Sequence, residues 1–262
     1  MGIQTGIGRR DLILGGAAAA AAGLAAMARP RAAFGTTALP AAGAWPWPGK
    51  GLDPARTAGA PTAGLSGCGE VSFGLIARSL KEVLPGSAWA VVPPQLAGFA
   101  NGGGPYGSDC GALQGPLLVM GLVGAPLTLR QEFYKWYCDF AFPSLEWDDL
   151  YPSKNTLRTV AHSPHCHESR MIWHNAYLAQ APGGKPDDTR CPKLTRDCVK
   201  KAVELLNAHK LAKYAGAWAP DEGYKACYDC HTEMAAQNAP GGLHSGKEDC
   251  VRCHACVEPH GE

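Results

Sequence analysis

Ser66-Gly67-Cys68-Gly69-Glu70-Val71-Ser72-Phe73-Gly74-Leu75-Ile76-Ala77-Arg78-Ser79-Leu80-Lys81-Glu82-Val83-Leu84 is the stretch on which the fold turns. Cys68, Val71, Leu75, Ile76, Leu80, Val83 and Leu84 recur at three- and four-residue steps, the spacing of one helix face, and Pro85-Gly86 ends the run. Cys68 is therefore expected to face inward near the helix start. The same period returns downstream. Thr128-Leu129-Arg130-Gln131 reads as a capping box opening a helix with the stripe Leu129, Phe133, Trp136, Tyr137 and Phe140. Further helices are expected over Glu168 to Gln180 and Thr195 to Tyr214, the latter carrying Cys198, Val199, Ala202, Val203, Leu205 and Leu206. The fold class these patterns predict is mainly α.

Between the first two helices lies a glycine-rich loop, Asn101 to Gly107, followed by Ser108-Asp109-Cys110-Gly111-Ala112-Leu113-Gln114-Gly115. Gly102, Gly104 and Gly107 match G-x-G-x-x-G in form, but no strand precedes them as a dinucleotide site requires. Ser108 or Asp109 is the expected N-cap. Cys110 then falls in a first turn, where amide dipoles favour a thiolate. Pro116 should bend this helix or confine its regular part to the residues beyond the proline. Cys138, beside an apolar stripe, reads as core.

Ala161-His162-Ser163-Pro164-His165-Cys166-His167 sets three histidines around a cysteine, a density characteristic of metal sites. His174 shares a helix face with His167, with Met171 between them. Cys191 comes after a polar loop, and Cys198 is expected in the first turn of its helix. Cys68, Cys110, Cys166 and Cys198 form a candidate four-thiolate set for an iron–sulfur cluster.

The last forty residues carry the most specific signal. Cys227-Tyr228-Asp229-Cys230-His231 and Cys250-Val251-Arg252-Cys253-His254 both read C-x-x-C-H, the attachment signature of c-type haem. Cys227, Cys230, Cys250 and Cys253 would form thioethers to two macrocycles, and His231 and His254 would be the proximal iron ligands. Two C-x-x-C knuckles could also hold zinc, but zinc does not explain a histidine after each pair. Candidate distal ligands are His167, His244, His165, His162 and His174, with Met171 or Met234 as the methionine alternative. His260 is too close in sequence to His254 to pass around its own haem, given about 3.3 Å of chain per residue.

The chain has 262 residues, 46% hydrophobic and 18% charged, with a formal charge of +1. That balance offers no electrostatic footprint for nucleic acid. Arg9-Arg10 before the alanine-rich run from Leu12 to Met27 reads as a twin-arginine export signal. The run falls short of the roughly 20 residues that span a bilayer, so a membrane association is expected only if the signal is left uncleaved. The chain divides into a signal over 1–33, an Ala/Gly/Pro-rich linker or arm over 34–64, a helical cysteine-containing domain over 65–214, and a loop-rich dihaem segment over 215–262. The expected location is the periplasm.

Cys68, the block Cys110 to Gly115, Cys166-His167 with Ser169 and Trp173, and Cys198 before Leu205-Leu206-Asn207 resemble the redox-active family named for a C…GCAxxG…C…C pattern. With the two C-x-x-C-H motifs, the chain is most similar to its haem-bearing members, typified by split-Soret cytochrome c. Here the block reads Asp109-Cys110-Gly111 in place of Gly-Cys-Ala, and Cys191 or Cys138 could substitute in the cluster. The resemblance implies a mainly helical homodimer with two c-type haems, bis-histidine iron and an iron–sulfur cluster of 2Fe–2S type. It also implies electron transfer among redox partner proteins. The competing reading is a haem-dependent oxidoreductase acting on a small molecule at a five-coordinate haem or at the cluster.

Overall fold

The computed structural model describes residues 45–185 and 189–216. The export signal, the haem-attachment cysteines Cys227, Cys230, Cys250 and Cys253, and His231, His244 and His254 lie outside the described residues. Six α-helices organise the described part: α1 (Pro54–Gly59), α2 (Gly67–Val83), α3 (Gly111–Leu122), α4 (Leu127–Asp139), α5 (Cys166–Gln180) and α6 (Arg190–Lys210). The mainly helical class holds. The described strands are two short ones, β1 (Ala141–Phe142) and β2 (Thr159–Val160), paired antiparallel with Ala141 opposite Val160. No described helix is long and apolar enough to cross a membrane.

Helix α6 is the axle. Its Leu194, Cys198, Val199, Ala202, Val203 and Leu206 are buried, and α1, α2, α3 and α4 all pack against it. Helices α2 and α3 meet at glycines. A Cβ on Gly115 would stand 2.6 Å from the Gly69 carbonyl oxygen and 2.7 Å from the Phe73 nitrogen, so its absence lets the two backbones touch. Ser72 Oγ bridges the contact, 3.1 Å from the carbonyl oxygens of Gly69 and Gly111. Dispersion between backbones at this distance compensates for the entropic cost of glycine in a helix.

Residues 45–64 lie along this body. Pro54 at the first position and Asp53, whose carboxylate accepts from Arg56 N at 3.0 Å, start α1. Trp47 Nε1 donates to Asn207 Oδ1 (3.0 Å), Leu52 N donates to the same oxygen (3.0 Å), and Asn207 Nδ2 donates to the Leu52 carbonyl (2.7 Å). Trp45 meets Trp89 edge-on at 4.9 Å, and Trp89 Nε1 donates to the Pro46 carbonyl. Arg196, buried, donates to the carbonyls of Ala58 and Ala60.

Helix ends differ from the sequence expectation in an instructive way. Helix α6 begins at Arg190 rather than Thr195, because Pro192 falls in a first turn where its missing N–H is not needed. Cys191 thus occupies the first turn and Cys198 the third. The helix closes at Lys210 rather than Tyr214, beyond which Ala212 turns to a positive φ of 56°. Helix α4 starts at Leu127 after Pro126, without the expected capping box. Helix α3 is N-capped by Cys110 rather than by Ser108 or Asp109, and it runs through Pro116 to Leu122. Helix α5 begins at Cys166, before Glu168.

Candidate metal centre

Four helices start at one place. Cys68 is the second residue of α2, Cys110 caps α3, Cys166 is the first residue of α5 and Cys191 the second of α6. All four line one cavity of about 780 Å³, together with His167, Arg170, His174 and Arg190. None of the six described cysteines is in a disulfide. Each of these N-termini contributes a partial positive charge, worth about 0.3–1 kcal/mol to a nearby anion.

Local pairing sets the cysteines in position. The loop before α3 and the start of α5 run antiparallel: Cys110 N donates to the Pro164 carbonyl (2.8 Å), Cys166 N to the Ser108 carbonyl (2.7 Å) and His167 N to the Gly107 carbonyl (3.1 Å). Gly107 has φ +68°, and a Cβ there would lie 3.0 Å from the His167 Cβ, so conformation and space both call for glycine. At α2 the N-cap Ser66 makes no side-chain bond to its helix. Asn101 serves from the neighbouring loop, its Oδ1 accepting from Gly69 N (2.9 Å) and Glu70 N (3.2 Å). The next residue, Gly102, donates its N–H to Cys68 Sγ at 3.4 Å. The glycine-rich loop therefore caps a helix and touches a sulfur, and no nucleotide geometry surrounds it.

The cavity thiols shift one another's acidity. Hydrogen bonding with Cys110 raises the Cys68 thiol, with burial adding to the effect. Hydrogen bonding with Cys166 pushes Cys110 up to about 11. Cys166 is lowered chiefly by the hydrogen bond it receives from Cys110, with Arg170 contributing. Cys198 is fully buried, and desolvation followed by the proximity of Cys110 holds its thiol well above the ordinary range. It does not line the cavity. Cys138 lies outside the cavity, on α4, where its carbonyl accepts from His162 N.

Among the described residues no three His, Cys, Asp or Glu side chains are arranged around a single-ion position. The donor set is nonetheless chemically uniform: soft sulfur from four helix starts, the set that suits an iron–sulfur cluster, whose iron atoms divide the thiolates between them. A Cβ on Gly111 would come within 2.7 Å of Cys68 Sγ and 2.8 Å of the Gly69 nitrogen, so glycine lets the start of α3 close on the start of α2 beside this sulfur. The residues present fit such a group.

The histidines separate by their surroundings. His167 Nδ1 lies 3.0 Å from the Gly107 carbonyl, which can only accept. In the neutral ring the proton is thus on Nδ1 and the lone pair on Nε2, the arrangement of a metal-ligating imidazole. His165 stands 3.5 Å from Asp109, whose carboxylate also takes bonds from Gln114 Nε2 (2.7 Å) and Tyr134 OH (3.2 Å). His174 lines the cavity, whereas His162, with φ 57°, does not. Arg190 carried no motif in the sequence, whereas Asn101 and Gly102 stood in the glycine-rich loop without any signal that they would cap α2 and reach the Cys68 sulfur.

The sequence over residues 67–205 matches the family described as "Putative redox-active protein (C_GCAxxG_C_C)". The fold matches split-Soret cytochrome c from Desulfovibrio desulfuricans, a structure described for a novel iron centre, with a TM-score of 0.64 and 24% identity. The match covers 79% of this chain and 88% of that one. At that identity the likeness is one of fold. No curated protein matches the sequence.

Proposed function

The chain belongs to the C_GCAxxG_C_C redox-active family, and on that premise we propose that it is an exported dihaem c-type cytochrome that passes electrons among redox partner proteins. In this reading Cys68, Cys110, Cys166 and Cys191 hold an iron–sulfur centre of 2Fe–2S type. The observation that carries it is the convergence of four thiols, each at a helix N-terminus, on one cavity. Bound there, such a centre supplies one-electron transfer without proton or group transfer. The chain's own residues do the rest. Helix dipoles favour the thiolates, Gly102 N–H donates to the Cys68 sulfur, and buried Trp173 and Leu194 exclude water from the cavity wall.

Cys191 is preferred to Cys198 because it borders the cavity from a first turn, while Cys198 is enclosed mid-helix. The two C-x-x-C-H motifs hold two haems through Cys227, Cys230, Cys250 and Cys253, with His231 and His254 proximal. His167 is the distal ligand best prepared for the role, through its fixed tautomer. Because His167 comes directly after Cys166, one peptide bond would join a cluster ligand to a haem ligand. Twin-arginine export to the periplasm and a homodimer complete the proposal. Export of a folded body suits a centre inserted before translocation.

Mass spectrometry and visible spectroscopy on the full exported chain test it. Two covalent haem additions that survive denaturation, plus an iron–sulfur mass that does not, are expected. Absence of haem bands overturns the cytochrome reading, and rapid carbon monoxide binding favours turnover at an open haem over electron transfer.

A further inference from the structure

Arg190 belongs to no motif, yet it opens α6 and forms part of the cavity wall. It is 4% exposed. Its Nη2 donates to Ser169 Oγ at 2.7 Å and to the Ser169 carbonyl at 3.1 Å, which ties the start of α6 to the first turn of α5. Its Nη1 faces Cys191 Sγ at 3.8 Å. Its Nε–H is buried and finds no acceptor among the described residues, and none of their carboxylates pairs with it. Guanidinium stays charged at any accessible pH. A buried cation with a donor unmet and no counter-ion among the described residues is costly.

Among the described residues the anion within reach is the Cys191 sulfur. A neutral Cys191 thiol is a weak acceptor, whereas a sulfur carrying ligand charge is a strong one. Four thiolates in a partly buried cavity concentrate negative charge, which each added electron increases by one unit. We propose that Arg190 is the potential-setting residue of this centre: it donates to the Cys191 sulfur and stabilises the reduced form over the oxidised one. This rests on Cys191 being a ligand. Arg170 also lines the cavity, but it is exposed and its field is screened by water. Arg190 is buried and lacks that screening, and the tie to Ser169 holds the guanidinium plane in place. Arg190 is a positioning and tuning residue, and electrons come from the redox partner.

The test compares the full-chain holoprotein with Arg190→Gln, Arg190→Lys and Ser169→Ala, measuring iron and acid-labile sulfide content and the midpoint potential of the cluster by EPR-monitored titration. The expected result is full cluster content with a lowered potential in Arg190→Gln, a smaller fall in Arg190→Lys, and the smallest change in Ser169→Ala, which keeps the charge beside the sulfur. An unchanged potential in Arg190→Gln with the cluster assembled overturns the proposal. Should Arg190→Gln fail to fold, Arg190→Met takes its place, and an unchanged potential there with the cluster assembled overturns the proposal equally, since Arg190→Lys keeps a charge. A wild-type protein without iron–sulfur signal overturns the ligand reading beneath it, which is a different result.

Discussion

Cys191 and Cys198 stand seven residues apart on the same helix, and only Cys191 borders the cavity. Seven residues of α-helix are two turns and about 10 Å, enough to separate a first-turn thiol at a cavity wall from one sealed among Val199, Ala202 and Val203. Replacing Cys191 by serine is expected to abolish or strongly reduce cluster iron and sulfide, whereas Cys198→Ala keeps both. Retained iron in Cys191→Ser together with its loss in Cys198→Ala would reverse the assignment.

The thiol chain predicts an order of ionisation in metal-free protein. Cys166 is lowered by the bond from Cys110, while Cys68 and Cys110 are raised, the latter to about 11. Thiolate absorbance in the ultraviolet should therefore show a first step below the ordinary thiol range. Cys166→Ala is expected to remove that step and, by removing the acceptor, to let Cys110 ionise at lower pH.

Gly115 has no room for a methyl group, since the Gly69 carbonyl and the Phe73 nitrogen would both lie under 3 Å from its carbon. Gly115→Ala should separate α2 from α3 and cost about 1–3 kcal/mol, the usual range for overpacking. Chemical denaturation measures it. Helix propensity alone would make the same change stabilising, so the sign of the effect distinguishes packing from propensity.

Asp197 is buried, and it accepts from Ser144 N (2.8 Å), Ser144 Oγ and Trp147 Nε1 (2.8 Å). Desolvation outweighs these bonds and raises its carboxyl above the ordinary value. Between the unfolded and folded pKa values the native state binds more protons than the unfolded one, so this group makes stability fall as pH rises through that window. It contributes most below the unfolded value. Asp197→Asn should remove that part of the slope in denaturation curves taken from acid pH upward, and an unchanged slope would refute the assignment.

Asn207 alone makes three bonds to the segment at Trp47 and Leu52. Asn207→Ala leaves Leu52 N and the Trp47 indole without that acceptor, and a loss of about 1–3 kcal/mol is expected. Limited proteolysis should then cut within residues 45–64 before the body of the protein.

The amino-acid sequence by itself determined the helical class, because the three- and four-residue period of Val71, Leu75, Ile76 and Leu80 is a local property of the chain. It also marked Cys68, Cys110 and Cys166 as candidate ligands and read the C-x-x-C-H pairs as haem sites, since attachment chemistry requires that spacing. Cys191 stood there only as a possible substitute, and its place at the cavity wall in preference to Cys198 was not legible. It depends on where α6 starts, and Pro192 reads as a helix breaker unless it is known to lie in the first turn. Arg190 was hidden for a related reason: its contacts join Ser169 on α5 to Cys191 on α6. Tertiary structure decided both, because a cavity where four helix N-termini meet depends on long-range packing, and local periodicity carries no record of which ends will converge.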